Sequence, residues 1–331
     1  MPVYILEQGI NPSSDYYIIP VFSLNGYSVV RIDIRRDKFP EIEEGSTVCI
    51  VRYLNKKVLK FLKENRNRIG RLIYFMDDGL WDIKALLSLP PAYAIRIFKG
   101  AYIYRRAVIK LGAELWVSTD YLARKYKNYN PKIIYPYPLG LEEVSLSESK
   151  TNLIFYHGTS SHRKEISWLS SLAKSINKAF PDVLMEVVLD RKNKKHFAGV
   201  KNLLSLRPMN WETFYRFSSL RYRTVGLVPL FDEEFNRGRS WVKFYDITRS
   251  GAVGIYSEKV PYAEMIKKFR AGVVLPMEQG FWIEAIKELL TFEEKRAELF
   301  SGAKKLLNYL REKAEKSYRE VLEHGKGDRE T

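Results

Sequence analysis

Short apolar runs of strand length recur along this chain, each followed by a segment with helical spacing, and no other feature constrains its fold as tightly. Thr47 to Tyr53 (TVCIVRY) is apolar and rich in β-branched residues. Asn55 to Asn65 then has helical spacing, and Arg71 to Met76 is the next short apolar run. Strands without polar alternation are buried on both faces, and strands that alternate with helices pair in parallel. Val3 to Leu6, Tyr27 to Ile34, Ala113 to Ser118 and Lys132 to Tyr137 complete a first set. Asn152 to Tyr156, Val183 to Leu189, Val200 to Leu206, Thr224 to Pro229, Ala252 to Tyr256 and Ala271 to Pro276 form a second. Between the sets lies a polar stretch, Leu141 to Thr151, with clustered Glu and Ser, which reads as a linker. The expected organisation is α/β: residues 1–145 as one Rossmann-like domain, 146–300 as another, and 301–331 as a helix and tail. With 331 residues the chain suits two domains of ordinary size. Two helices are expected besides those of the alternation: Tyr16 to Leu24, interrupted by Pro20, and a continuous one over Ala92 to Leu111.

Composition narrows the classes. Apolar residues make up 46% of the chain, enough for real cores, so disorder is excluded. No run approaches the roughly 20 apolar residues of a membrane span, and the N-terminus lacks the basic start and cleavage site of a secretory signal. A cytoplasmic location is the expectation. The single cysteine, Cys49, excludes an intramolecular disulfide, and with only four histidines a Cys-rich metal site is excluded too. The formal charge of +16 points to polyanionic partners: nucleic acid, an acidic lipid surface or phosphorylated substrates. No zinc-finger spacing or aromatic RNA-binding consensus supports the first of these.

Three stretches carry candidate chemistry. Asp77 and Asp78 follow a buried strand directly, where ligands bind in open parallel sheets. They suit a base, a metal contact or hydroxyl binding; the alternative is a helix N-cap with an acidic first turn. After the strand Asn152 to Tyr156 comes His157-Gly158-Thr159-Ser160-Ser161-His162-Arg163-Lys164, a glycine and hydroxyls before an amphipathic helix. That is a phosphate-loop pattern of a general kind, without the spacing of a Walker A loop. The third stretch, Phe235 to Tyr262, opens with Arg237 and Arg239. A helix expected from Ser240 to Thr248 carries Lys243 and Asp246, Gly251 stops it, and an apolar strand follows. Loop N–H groups, a helix N-terminus and three basic side chains make a cradle for a nucleotide diphosphate, with Asp246 placed to accept from a ribose. An ordinary helix with a solvated basic face fits the same residues.

The third stretch also resembles the second domain of GT-B glycosyltransferases, in the pattern "FN..RS..K..E.a..G.p.v.S...py". Asn236, Ser240, Lys243, Asp246, Gly251, Ser257 and Tyr262 fall on it. The segments IYFMDDGLW, ELWVSTDYLARKY, YHGTSSHRKEI and P..W..Y (Pro208, Trp211, Tyr215) are similar to further GT-B motifs in the same order. The resemblance implies two Rossmann-like domains facing each other across a cleft, with the C-terminal helix returning to the first. It implies transfer of a sugar from a nucleotide-sugar donor to a glycan or lipid-linked acceptor, as in bacterial cell-surface polysaccharide synthesis. The nucleotide-sugar is a co-substrate, and neither a metal nor another cofactor is implied. Gly158, Thr159, Arg163, Arg239, Ser240, Lys243 and Asp246 would bind the donor, and Asp77, Asp78 and His162 would serve catalysis. Two departures stand out: the ribose carboxylate is Asp246 rather than Glu, and the first Glu of the retaining enzymes' paired-Glu motif is Gly238. They keep open a non-catalytic sugar-nucleotide-binding or assembly protein of the same fold; the charge keeps open a nucleic-acid-binding protein.

One further stretch concerns location. Arg96, Lys99, Arg105, Arg106 and Lys110 are interleaved with Phe98, Tyr102 and Tyr104. A basic, aromatic helix suits the anionic inner face of a membrane; a core helix with snorkelling basic residues is the alternative.

Overall fold

The computed structural model describes residues 2–36, 38–149, 151–158 and 163–327. Two units divide the chain. The first comprises Met1–Leu139, Gly238–Ser240 and Leu310–Thr331, the second Gly140–Arg237 and Trp241–Tyr309.

Six strands build the sheet of the first unit: β1 (Val3–Glu7), β2 (Val29–Asp33), β3 (Ser46–Val51), β4 (Ile69–Met76), β5 (Glu114–Val117) and β6 (Lys132–Ile133). Their order is β2-β1-β3-β4-β5-β6, and every pairing is parallel. The central strands are buried on both faces, as their unbroken apolar runs require. Polar side chains start the helices that cover them. Asn55 accepts from the Val58 N–H to begin α2 (Lys56–Glu64), and Thr119 accepts from the Leu122 N–H to begin α6 (Asp120–Lys125). The first sheet reverses its winding between β1 and β3, so the loops after those two strands flank a natural ligand position.

Several local expectations for this unit change. Pro20 does not interrupt a helix; it sits in the first turn of α1 (Ile19–Ser23), where its missing N–H costs nothing, after a wider turn over Ser14–Ile18. The continuous helix over Ala92 to Leu111 is in fact two, α4 (Pro91–Gly100) and α5 (Arg105–Lys110), following α3 (Ile83–Leu87). Gly100 causes the break. Its carbonyl accepts from the Leu54 N–H at 2.6 Å, and a Cβ there would lie 2.9 Å from the Tyr53 ring. The strand expected to reach Tyr137 ends at Ile133, ahead of Pro136 and Pro138, which have no N–H to give a ladder.

A second parallel sheet contains β7 (Leu153–Tyr156), β8 (Leu184–Val188), β9 (Leu203–Leu206), β10 (Val225–Val228), β11 (Val253–Ser257) and β12 (Val273–Leu275), in the order β12-β11-β10-β7-β8-β9. This is the doubly wound nucleotide-binding order, with its switch point between β7 and β10. Around it lie α7 (Arg163–Ala179), α8 (Trp211–Ser218), α9 (Val242–Arg249), α10 (Ala263–Phe269) and α11 (Gln279–Thr291). Helix α9 starts at Val242, two residues after the expected Ser240, and the Ser240 hydroxyl does not cap it. The last helix, α12 (Glu293–Gly327), passes from the second unit into the first at Leu310. Among the described residues, no helix is long and apolar enough to cross a membrane.

Candidate functional site

In the first unit the chemistry collects beside the switch point. Strand β3 runs directly into Arg52, β4 runs directly into Asp77 and Asp78, and Ser13 lies in the segment after β1. The Arg52 guanidinium spans both carboxylates: Nη1 lies 3.0 Å from Asp77 Oδ1, and Nη2 lies 2.9 Å from Asp78 Oδ2. The Ser13 hydroxyl donates to Asp77 Oδ2 at 2.6 Å. Arg239, in the short Gly238–Ser240 segment that belongs to this unit, brings Nη1 to 3.5 Å from Asp78 Oδ1. Two cations and two anions thus share one largely buried cluster.

Arg52 has a left-handed backbone, with φ of 64°, one of three such non-glycine residues among those described. Its carbonyl accepts from the Tyr74 hydroxyl at 2.5 Å, which fixes the turn that aims the guanidinium at the carboxylates. Burial holds the Asp77 carboxyl above the ordinary aspartate value; Arg52 opposes this and the adjacent Asp78 adds to it. For Arg52 itself burial disfavours the charge, but the surrounding anions more than offset it and the guanidinium stays protonated. Burial also lifts the nearby Tyr93 phenol to about 12. The helix-cap alternative for Asp77 and Asp78 fails, because the N-cap of α3 is Asp82, which accepts from the Lys84 N–H.

In the second unit, β7 delivers His157 and Gly158 to the switch point. A side chain at Gly158 would collide with the Tyr156 ring, which folds back over it. Thr159 and His162 lie outside the described residues, as does the Arg163 side chain; the backbone at Arg163 begins α7. Lys243, in the first turn of α9, donates its ammonium to the His157 carbonyl. Helix α9 has no side-chain cap on its N-terminal N–H groups. Asp246, one turn on, is buried and pairs with Arg249 of its own helix at 2.6 Å, and Arg249 reaches the Ser218 hydroxyl at 3.0 Å. Arg237 forms an exposed ion pair with Asp232 at 2.9 Å and contributes to no enclosed cradle. The cradle residues expected together therefore divide: Arg239 and Ser240 belong with the aspartates of the first unit, Lys243 and Asp246 with the glycine turn of the second.

Beneath that glycine turn lies a buried polar network. The Glu186 carboxylate on β8 accepts from Arg223 Nε at 2.6 Å and from the Tyr222 hydroxyl at 2.8 Å, and bonds His157 Nε2 at 2.7 Å. Arg223 is fully buried, flanked by the Phe217 and Tyr222 rings. Burial pushes the His157 imidazole below its ordinary value, with Glu186 opposing and the Arg223 charge assisting. The Glu186 carboxyl is lowered to about 2, because its hydrogen bonds and the Arg223 charge outweigh burial. A neutral His157 is thereby pinned at the end of β7, and its carbonyl is fixed where Lys243 meets it.

Sequence reading missed Arg52, Ser13 and the Glu186–Arg223 pair. A left-handed arginine has no sequence signature. Glu186 in an apolar strand, LMEVV, was the one available signal: a carboxylate inside a buried run requires a cation.

No family model matches the sequence, and no curated protein does. Solved structures do match. Sucrose-phosphate synthase from Thermosynechococcus elongatus aligns with a TM-score of 0.61 and 11% identity, over 98% of this chain and 99% of that one. The E. coli trehalose-6-phosphate protein bound with UDP-2-fluoro glucose gives 0.59 and 10%, over 98% and 99%. A trehalose-6-phosphate synthase gives 0.55 and 12%, over 85% and 72%. At these identities the likeness shows the fold: the chain has the two-domain, Rossmann-like GT-B fold of glycosyltransferases.

Proposed function

We propose that the protein is a glycosyltransferase that moves a sugar from a nucleotide-sugar to a glycan or lipid-linked acceptor. The observation that carries this reading is a fold likeness running over nearly all of both chains, to a protein that holds a UDP-sugar analogue. The doubly wound order of the second sheet, with a glycine turn and a lysine at its switch point, supports a donor site there. In this reading Gly158 lets the backbone approach the diphosphate. Thr159, Arg163 and Lys243 complete the donor contacts of the second unit, and the cations stabilise the charge that builds on the leaving nucleotide; Arg239 and Ser240, expected with them, fall with the aspartates of the first unit. Asp246 holds the ribose, and His162 assists beside the donor. Asp77 accepts the proton of the acceptor hydroxyl: its raised pKa brings it nearer the range of an effective base, and Ser13 and Arg52 fix its orientation. Asp78 shares the Arg52 and Arg239 guanidinium groups and keeps them in place. We place the reaction at the inner, cytoplasmic face of an anionic membrane, in the synthesis of a cell-surface polysaccharide.

A thermal-shift screen against UDP-, GDP-, CMP- and dTDP-sugars tests the donor site, since a ligand at 100 times its dissociation constant adds about 2.7 kcal/mol. No shift with any of them would sink the reading. The ion pair between Asp246 and Arg249, and Gly238 in place of a carboxylate, favour a second reading: sugar-nucleotide binding without turnover. Slow donor hydrolysis by the purified protein would exclude that alternative.

A further inference from the structure

From Ile83 to Ala113 the chain contains no aspartate or glutamate, yet it carries six basic residues: Lys84, Arg96, Lys99, Arg105, Arg106 and Lys110. The same span, folded as α3, α4 and α5, holds a concentration of exposed large apolar side chains. Leu87 is 80% exposed, Ile95 54%, Ile103 46%, Ile83 44% and Phe98 40%. Within the first unit α3 packs on α4, and both α4 and α5 pack on the Tyr102–Tyr104 turn that joins them.

The exposure follows the helical period. In α4 only Ile97 is buried, and the side opposite it carries Ala92, Ile95 and Lys99, flanked by Phe98 and Arg96. In the next segment Ile103, Arg106 and Lys110 face solvent while Val108 is buried. Ile83 and Leu87 are one turn apart on α3, with Lys84 exposed beside them. Arg105 differs from its neighbours: Nη1 donates to the Tyr102 carbonyl at 2.8 Å and its guanidinium lies 3.8 Å from the Tyr102 ring centroid, so it braces the segment. The snorkelling-core alternative therefore fits Ile97 and Val108 but not the outward side chains.

We propose that this surface inserts its aliphatic side chains into a lipid bilayer with anionic headgroups. Lys84, Lys99, Arg106 and Lys110 would lie at the headgroup level, and Leu87, Ile95 and Phe98 would reach the acyl boundary. Charge complementarity selects this occupant. A second copy of the chain would bring two carboxylate-free basic faces together. Nucleic acid would pair with the cations but leave Leu87 and Ile95 against phosphate and water. A bilayer satisfies both features of one surface. The inference gives a physical means to the membrane location proposed above and stands apart from the donor site.

Sedimentation with vesicles of phosphatidylglycerol and phosphatidylcholine, against pure phosphatidylcholine, tests it. The protein should bind only the anionic vesicles at low salt. Each basic residue near such a surface is worth about fivefold in binding. The paired variant Arg106→Glu/Lys110→Glu should therefore bind at least about a hundredfold more weakly at low ionic strength. Leu87→Ser/Ile95→Ser should lose about tenfold or more, and the loss should persist at salt concentrations that screen the charges. Wild-type indifference to anionic vesicles would overturn the proposal. So would undiminished vesicle binding by the serine variant, or loss of vesicle binding to competing RNA with the serine variant unaffected. Thermal shift with nucleotide-sugars, run on the same variants, should be unchanged. Absence of that shift in the wild type, with vesicle binding intact, would count against the transferase reading alone.

Discussion

Arg52 offers a perturbation in which two opposed effects can be separated. Its guanidinium compensates two carboxylates, and its side chain is only 17% exposed. Removing one partner of such a buried pair costs about 3–5 kcal/mol, because the remaining charges lose their counter-ion. Its left-handed backbone acts in the other direction: at φ of 64° a residue with a Cβ carries about 1–2 kcal/mol of strain that glycine does not. Arg52→Ala keeps the strain and loses the pairing, whereas Arg52→Gly loses both. The pairing loss is the larger effect, so both variants should be less stable than the wild type, with the glycine variant the better by about 1 kcal/mol. Hydrogen exchange read on peptides of β3 and β4 reports this locally, without requiring the two units to unfold together. A loss of about 3 kcal/mol makes those amides exchange over a hundredfold faster when they open with the unit. If the alanine variant exchanges like the wild type, the cluster does not stabilise this unit. If glycine is no better than alanine, the strain assigned to Arg52 is absent.

Other outcomes follow from the second unit and the donor reading. Lys243→Ala should weaken binding of the nucleoside diphosphate by about 1.5–3 kcal/mol in calorimetry, the worth of one charge-assisted bond; unchanged affinity would place the phosphates elsewhere. With a UDP-sugar donor established, Asp246→Asn should erase most of the preference for UDP over 2′-deoxy-UDP, and equal binding of the two by the wild type would remove the ribose role from Asp246. The His157–Glu186 network should make stability acid-sensitive. The imidazole is depressed below 6.5, so the unfolded chain takes up a proton first and stability falls as pH drops through that value. Glu186, lowered from 4.5 to about 2, gives up a further contribution of up to about 3 kcal/mol as pH falls across that interval. In urea unfolding, Glu186→Gln should be weaker than the wild type at pH 7, since Arg223 loses its anion, and the gap should narrow below pH 4.5. A gap that stays constant from pH 7 to 3 would show that the network is not the source.

The alternation of apolar runs and helical segments was enough to read two parallel sheets, because strands buried on both faces cannot hide their composition. Their edges were less legible. Lys132 to Tyr137 reads as one apolar run until Pro136 is given its hydrogen-bonding cost, and Ala92 to Leu111 reads as one helix until Leu54 takes the Gly100 carbonyl. The candidate site was legible in the same proportion. Asp77 and Asp78 stood out because a strand ends at them. Arg52 did not, since its role comes from a backbone conformation and from a partner 25 residues away. Asp246 was found as a carboxylate on the expected helix face, but its pairing with Arg249, three residues on, depends on burial that periodicity does not report.

Helix α12 has a consequence for the order in which the molecule is made. Its residues from Leu310 belong to the first unit, where the Val321 carbonyl accepts from Arg71 and the Tyr318 hydroxyl donates to the Tyr135 carbonyl. Apart from the short Gly238–Ser240 segment, the remainder of that unit has been synthesised by Leu139, and roughly 170 residues separate Leu139 from this closing helix. At about 5–20 residues per second, the sheet waits some 10–30 seconds with the Arg71 and Tyr135 surface uncovered. The second unit needs no late arrival from beyond Tyr309, so it can complete its own sheet while the first is still open. The N-terminal half of the protein is therefore the last to finish folding, and slowing translation between Gly140 and Tyr309 should lengthen its exposure to chaperones and proteases.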